Sequence, residues 1–178
     1  ERRRFMDLEL CQLSKVYCHD LQNYYKVLKQ RNNLLKTAYK DNSLADTLDV
    51  WDIQLCMYGE RIISARKKFA EKLNDISKKI HSGITDNKEE LTVKFIPNSD
   101  EGSLEERLKS HRQKDMAFGA TSCGPHKDDM AFFIDGNDTK SYGSQGQQRT
   151  ASLSAKMAEI ELIKEETGES PILLLDDV

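Results

Sequence analysis

The chain has 178 residues, 38% of them apolar and 32% charged. The usual shares are about 45–50% and about 25%, so this balance suits long solvated helices around a modest core. No apolar run approaches a membrane span, and the opening Glu1-Arg2-Arg3-Arg4 has no apolar signal region. The expectation is a cytoplasmic protein with no membrane partner.

The net charge of −3 conceals a split. Residues 1–80 carry 16 Lys and Arg against 11 Asp and Glu, and residues 81–178 carry 11 against 19. The first half is therefore the one suited to an anionic partner. Cys11, Cys18, Cys56 and Cys123 are widely spaced, without C-x-x-C or zinc spacing to any of the four histidines, which reads as free structural thiols.

In chain order, the first predicted element is a helix in which Leu21, Tyr25, Leu28, Asn32, Leu35 and Tyr39 alternate at steps of four and three. Asn32 on that seam either sets register or sits on a slightly rotated face. Asp41-Asn42-Ser43 then turns the chain and caps a second helix, making an antiparallel pair. That helix carries a stripe from Leu44 through Leu48, Trp51, Leu55, Tyr58, Ile62, Ala65, Phe69, Leu73 and Ile76 to Ile80, with His81-Ser82-Gly83 as its stop. Its length is about 55 Å at about 1.5 Å per residue, long enough to call for coiled-coil-like pairing.

Beyond Gly83 the period changes. Leu91–Ile96 alternates as a strand closed by Pro97. Ser103 with Glu106 reads as a capping box for a helix running towards Met116 and ending near Gly119. Met130–Ile134 is a second strand, followed by a turn at Asp135-Gly136-Asn137-Asp138. A helix over Gln147–Glu166 presents Ala151, Leu153, Met157, Ile160 and Ile163 to a core and stops at Gly168. Pro171–Leu175 is a fully apolar buried strand. The chain opens inside an arginine cluster and closes just after that strand, so the expectation is a fragment with sequence missing at both ends.

Three motifs carry chemistry. Tyr142-Gly-Ser-Gln-Gly-Gln-Gln-Arg149 places glycines, a serine and amides where a helix start exposes unpaired N–H groups, which is a prepared phosphate site. Ser144 could donate its hydroxyl, and Gly146 permits close approach; equally, Ser144 and Gln147 form a capping box that needs no ligand. Asp176 and Asp177 end the apolar strand at the edge where α/β sheets bind ligands, one suited to a magnesium ion and the other to an attacking water. Alternatively they are ordinary acidic loop residues. Gly124-Pro-His-Lys-Asp-Asp129 offers His126 and Lys127 to phosphate or a nearby acid, or is a plain loop with solvated charges. No G-x-x-x-x-G-K-[ST] occurs, so the main cradle for any nucleotide lies elsewhere and this chain alone is not expected to hydrolyse ATP.

Five segments in order, Glu1-Arg-Arg-Arg-Phe-Met-Asp7, Tyr24-Tyr-Lys-Val-Leu-Lys-Gln-Arg-Asn-Asn-Leu-Leu35, Gly124-Pro-His-Lys-Asp-Asp129, Gly143-Ser-Gln-Gly-Gln-Gln-Arg-Thr150 and Leu173-Leu-Leu-Asp-Asp-Val178, resemble the RecF family of SMC-like, ABC-type ATPases. The resemblance implies an α+β to α/β fold: a long antiparallel helical arm, residues 1–85, joined to a partial ATPase head lobe, residues 86–178. It implies an ATP-dependent DNA clamp that acts in recombinational repair with RecO and RecR to promote RecA loading at gapped DNA. ATP and Mg2+ would be its cofactors, and an ATP-dependent homodimer its working form. By motif position, Ser144, Gln145, Gly146 and Gln147 would bind the γ-phosphate of the opposite subunit's nucleotide. Asp176 would hold the metal and Asp177 the catalytic position where relatives carry Glu, a shorter reach that fits slow hydrolysis.

Arg61, Arg66, Lys67, Lys68 and Lys72 lie mostly off the apolar stripe of the long helix. Arg61, Lys68 and Lys72 are the candidates for sequence-independent contact with DNA phosphates, against a plain solvated face. The competing reading of the whole is a non-enzymatic helical scaffold, an SMC-type arm whose head binds no nucleotide.

Overall fold

A computed structural model describes residues 2–38 and 47–169. The chain is mostly helical: α1 (Arg2–Leu13), α2 (Lys15–Ala38), α3 (Leu48–Ile84), α4 (Leu104–Phe118), α5 (Thr139–Tyr142) and α6 (Gln145–Thr167). One small sheet of order β1-β2-β3 is built from Leu91–Ile96, Asp129–Ile134 and Asn137–Asp138. This is the α+β class expected from the sequence. Among the described residues no helix is long and apolar enough to cross a membrane. The expected turn at Asp41–Ser43 and strand at Pro171–Leu175 lie outside the described residues.

Contacts gather the chain into two compact units, each discontinuous in sequence. One takes the described residues within Leu10–Arg66 and Ile96–Asp129; the other takes those within Glu1–Glu9, Lys67–Phe95 and Met130–Val178.

In the first unit α2 and the start of α3 run antiparallel. Arg31, late in α2, bonds Asp52, early in α3, while Tyr17, early in α2, meets Arg66 farther along α3. The expected stripe holds in α3, where Leu48, Leu55 and Ile62 are fully buried at seven-residue spacing. A second row runs beside it through Asp52, Gly59 and Arg66, also buried. Arg66 is thus no surface cation. In α2 Leu28 and Leu35 of the expected stripe are buried, but Tyr24 and Arg31 beside it are buried too, whereas Tyr25 is exposed.

Arg31 has no solvent exposure and spends its guanidinium on three partners. Nε donates to Asp52 Oδ1 at 2.6 Å, and Nη1 donates to Asp115 Oδ2 at 2.8 Å and to Thr121 Oγ1 at 2.9 Å. Asp52 also accepts from Arg112 at 2.6 Å, and Asp115 from the Ser122 N–H at 3.0 Å. Asn32 accepts from the Thr121 N–H at 2.8 Å and its hydroxyl at 2.6 Å. It therefore anchors the chain after α4.

Arg66 does comparable work for Gly124–Asp128. It donates to Asp128 Oδ2 at 2.8 Å and to the Pro125 carbonyl at 2.6 Å, while Asp128 Oδ1 accepts from the Asn98 N–H. His126 Nε2 donates to the Thr121 carbonyl at 3.0 Å, so Nδ1 of the neutral ring accepts from the Tyr24 hydroxyl at 2.7 Å. Gly124 has φ 120, and a Cβ there would lie 2.6 Å from that hydroxyl. Gly124, Pro125 and Asp128 are buried in a clamp, with His126 engaged by Tyr24 and Thr121, while Lys127 keeps the solvated charge expected of a loop.

The N-terminus of α4 departs from expectation as well. Ser103 makes no side-chain cap; its hydroxyl donates to the Asp100 carbonyl. Glu60 of α3 caps the helix instead, accepting from the Gly102 N–H at 2.7 Å and the Leu104 N–H at 3.0 Å. At the other end Gly119 adopts the left-handed cap conformation, as expected.

In the second unit α3 continues through Gly83 to Ile84, past the expected stop. Phe69 and Leu73 of the expected stripe are buried, but beyond them Ser77 and His81 are fully buried where Ile76 and Ile80 were expected to lead. The turn between β2 and β3 is two residues, Asp135 and Gly136, both at positive φ, with Ile134 paired to Asn137. Asn137 and Asp138 are thus strand residues. Helix α6 buries Ala151, Ser154, Ala155, Ala158 and Leu162. This small-residue face replaces the expected row of Leu153, Met157, Ile160 and Ile163, and Met157 is exposed. Gly168 ends the helix as expected.

All four cysteines are free; burial pushes the Cys123 thiol up to about 11, which leaves it unreactive at neutral pH. Glu9, almost fully buried, is pushed up to about 7 by its burial and by the hydrogen bond and charge of Glu159, against the pull of Lys156.

Two predictions follow from these buried charges. In the complete protein Asp115→Ala leaves Arg31 short of a counter-charge and should cost about 3–5 kcal/mol in urea unfolding; a loss below about 1 kcal/mol would show that Asp52 suffices. Glu9 holds its proton in the folded state at pH values where the unfolded chain, near 4.5, has lost it. Its contribution is complete below that value and is lost as pH rises through about 7, a change on the order of 3 kcal/mol at most. Glu9→Gln should remove that part of the slope of stability against pH, and identical slopes would refute it.

Candidate functional site

The exposed start of α6 is the site the sequence singles out, and it is assembled entirely within the second unit. Helix α5 closes on Gly143, whose N–H donates to the Thr139 carbonyl at 3.1 Å. A Cβ at Gly143 would stand 2.6 Å from that carbonyl oxygen, so only glycine lets the chain pass directly from α5 into α6.

Ser144 then takes extended geometry and caps α6 with a complete capping box. Its Oγ accepts from the Gln147 N–H at 3.2 Å, and its own N–H donates to Gln147 Oε1 at 3.0 Å. The cap uses a lone pair of the Ser144 hydroxyl and leaves its hydrogen available to a ligand. The Gln145 and Gly146 N–H groups sit in the first turn, where a helix offers no internal partner. A Cβ at Gly146 would have Ser144 Oγ as its nearest neighbour, at 3.8 Å. Glycine there keeps the approach to the serine hydroxyl open. Ser144, Gln145 and Gly146 are exposed and Gln147 is half-buried.

The glutamines brace this turn. Gln148 Nε2 donates to the Thr139 and Gly143 carbonyls at 3.1 and 3.0 Å. Gln147 Nε2 donates to Glu89 Oε1 at 3.0 Å. Behind Glu89 stands the buried His81, with Nε2 3.3 Å from Glu89 Oε2 and Nδ1 3.0 Å from Ser154 Oγ. Ser154 Oγ also lies 2.8 Å from the Thr150 carbonyl, and its one hydrogen is shared between that carbonyl and His81 Nδ1. A neighbouring cavity of about 260 Å³ is lined by Thr139, Tyr142, Gly143 and Gln147, among others.

Asp176 and Asp177 lie outside the described residues. Among the described residues no group of three or more His, Cys, Asp or Glu could hold a metal ion. Of the DNA candidates, Arg61 is exposed and lies 3.5 Å from Asp20. Lys72 pairs with Glu166, both solvent-exposed, and Lys68 is exposed. Glu89, His81 and Ser154 had no sequence signal. Glu89 lies 58 positions from Gln147, and nothing local distinguishes it from the acids around it.

No protein-family model matches the chain. Curated relatives do. It is 52% identical over its whole length to the DNA replication and repair protein RecF of Lachnoclostridium phytofermentans and 53% identical to that of Lachnospira eligens. A solved structure described as the recombination mediator protein RecF with ATP in the RecFOR pathway superposes with a TM-score of 0.94 at 36% identity over 99% of the chain. A second, described as RecF-ATPrS, gives 0.92 at 37%.

In sequence and in fold, the chain matches RecF.

It spans about half the length of the RecF relatives: 49% and 50% of the two curated proteins and 49% of the ATP-bound one. The matched half includes the start of α6, so the capped turn at Ser144 is part of a RecF-like fold.

Proposed function

We propose that this chain is the signature-bearing half of a RecF protein that acts in DNA replication and repair as an ATP-operated DNA clamp. The observation that carries the reading is the exposed α6 N-terminus. Ser144 keeps a hydrogen to donate while capping, next to the first-turn N–H groups of Gln145 and Gly146 and the dipole of a 23-residue helix. Such a turn suits the γ-phosphate of a nucleotide held by a facing subunit. ATP then joins two copies, and hydrolysis releases them.

Residues 1–85 serve as the arm and residues 86–178 as part of the head. Asp176 would hold Mg2+, whose charge would offset that of the phosphates, and Asp177 would orient the attacking water. RecO and RecR are the expected partners, with RecA loading at gapped DNA as the outcome. A scaffold without nucleotide function would have no need for an open glycine beside a capping serine.

Substitutions at Ser144 separate the cap from the ligand. Asp caps a helix as well as Ser does, yet places a negative charge against a phosphate, and Arg fills the space. In sedimentation velocity on the complete protein, ATP should drive dimerisation of the natural sequence and leave Ser144→Asp and Ser144→Arg monomeric, with the thermal midpoint of Ser144→Asp unchanged. Variants that dimerise normally would reduce Ser144 to a cap and favour the scaffold.

Lys68 and Lys72 are our candidates for DNA phosphates, with Arg61 on the same helix. The exposed Lys72–Glu166 pair is worth little and yields readily to a phosphate. Reversing both lysines to Glu should weaken DNA binding and flatten its logarithmic salt dependence by roughly 2. An unchanged slope removes them from the interface.

A further inference from the structure

We infer that Glu89 is a positioning residue for the phosphate-binding turn: it fixes the Gln147 carboxamide so that Ser144 is held ready for a nucleotide. The inference rests on the ATP-signature reading above and adds to it a residue outside the motif.

In the capping box the Ser144 N–H favours the oxygen end of the Gln147 amide, and Glu89 fixes the same orientation from the opposite end. A carboxylate accepts and cannot donate, so Oε1 at 3.0 Å selects the amide nitrogen. The carbonyl end is then delivered to the Ser144 N–H at 3.0 Å. With that end fixed, the Ser144 main chain is locked and its Oγ stays on the Gln147 N–H, its hydrogen facing outward.

The Glu89 side chain is 26% exposed, and its second oxygen lies 3.3 Å from Nε2 of the fully buried His81. Nδ1 of His81 is in turn 3.0 Å from Ser154 Oγ, on the same α6 helix that carries the turn. The end of α3, the segment before β1 and two turns of α6 thus close a ring of side-chain contacts: His81 to Glu89, Glu89 to Gln147, and Ser154 back to His81. The ring ties the start of α6 to the last turns of the long helix within one compact unit. One carboxylate in it directs the ligand-binding serine without touching the ligand.

The test is the ATP-dependent monomer–dimer Kd of the complete protein, measured with nucleotide affinity of the monomer and the thermal midpoint. Glu89→Ala should raise the dimer Kd about tenfold while the other two quantities hold. Glu89→Gln can donate as well as accept, so it no longer selects the amide nitrogen and should weaken the dimer towards the level of Glu89→Ala. Because Glu89 acts through Gln147, adding Glu89→Ala to Gln147→Ala should cost nothing further. Additive losses in that pair, or a Glu89→Gln that dimerises like the natural protein, would overturn the inference, since the first assigns the effect to folding and the second shows that a group able to donate serves as well. If Glu89→Ala dimerises normally while Ser144→Arg does not, the positioning role falls and the signature reading stands. If Ser144→Arg dimerises normally, the signature reading fails and this inference fails with it.

Discussion

A guanidinium group without solvent organises the first unit. Arg31 can be buried only because Asp52, Asp115 and Thr121 converge on it, and these come from α3, from α4 and from the chain that follows α4. Desolvating a charge costs several kcal/mol unless its partners are in place. The three segments are therefore constrained to meet at one point, and alternative packings of α2 and α3 would strand the charge. This suits a chain with few apolar residues. Where a larger core would rely on interlocking methyl groups, Arg31 and Arg66 supply directional contacts, and each reaches a loop that apolar contact alone would leave loosely defined.

That arrangement explains which features were legible in the sequence. Helix extents, the left-handed caps at Gly119 and Gly168, and the strand at Leu91–Ile96 follow from residues within a few positions of each other, so local chemistry suffices to find them. The buried face of a helix depends on what packs against it. α2 turns Tyr24 and Arg31 inward because Asp115 and His126 wait there, more than 80 positions away. α6 turns Ala151 inward against Leu91, Phe132 and Ile134, which come from the strands and not from its own stretch of sequence. Ser103 and Glu106 had the right spacing for a capping box, yet Ser103 takes helical rather than extended backbone and its hydroxyl donates to the Asp100 carbonyl. Glu60, 44 positions upstream, supplies the helix start with an acceptor at the Leu104 N–H.

The basic cluster shows the same limit at a functional level. Arg61, Arg66, Lys68 and Lys72 look alike in sequence, but Arg66 is fully buried and holds the Gly124–Asp128 loop. The hydrophobic period placed Arg61, Lys67, Lys68 and Lys72 outside, as they are, but misplaced Arg66, because buried Asp52, Gly59 and Arg66 form a row that hydropathy counts as outside. Position relative to a stripe does not reveal burial when the second buried row is itself polar.

At the start of α6 two readings of one serine were set against each other, cap or phosphate ligand, and the geometry makes them compatible. A hydroxyl has two lone pairs and one hydrogen; the cap consumes only acceptor capacity, and a phosphate asks only for a donor. Capping then prepares the ligand site, because it fixes Oγ at the helix end and spares the ordering cost when a nucleotide arrives. Glu89 extends the same logic by one step. Its negative charge near a phosphate-binding turn would be a liability if it faced the ligand, but it is spent sideways on the Gln147 amide. A turn that must greet a polyanion can keep a carboxylate nearby when that carboxylate is fully engaged in holding the donors in place.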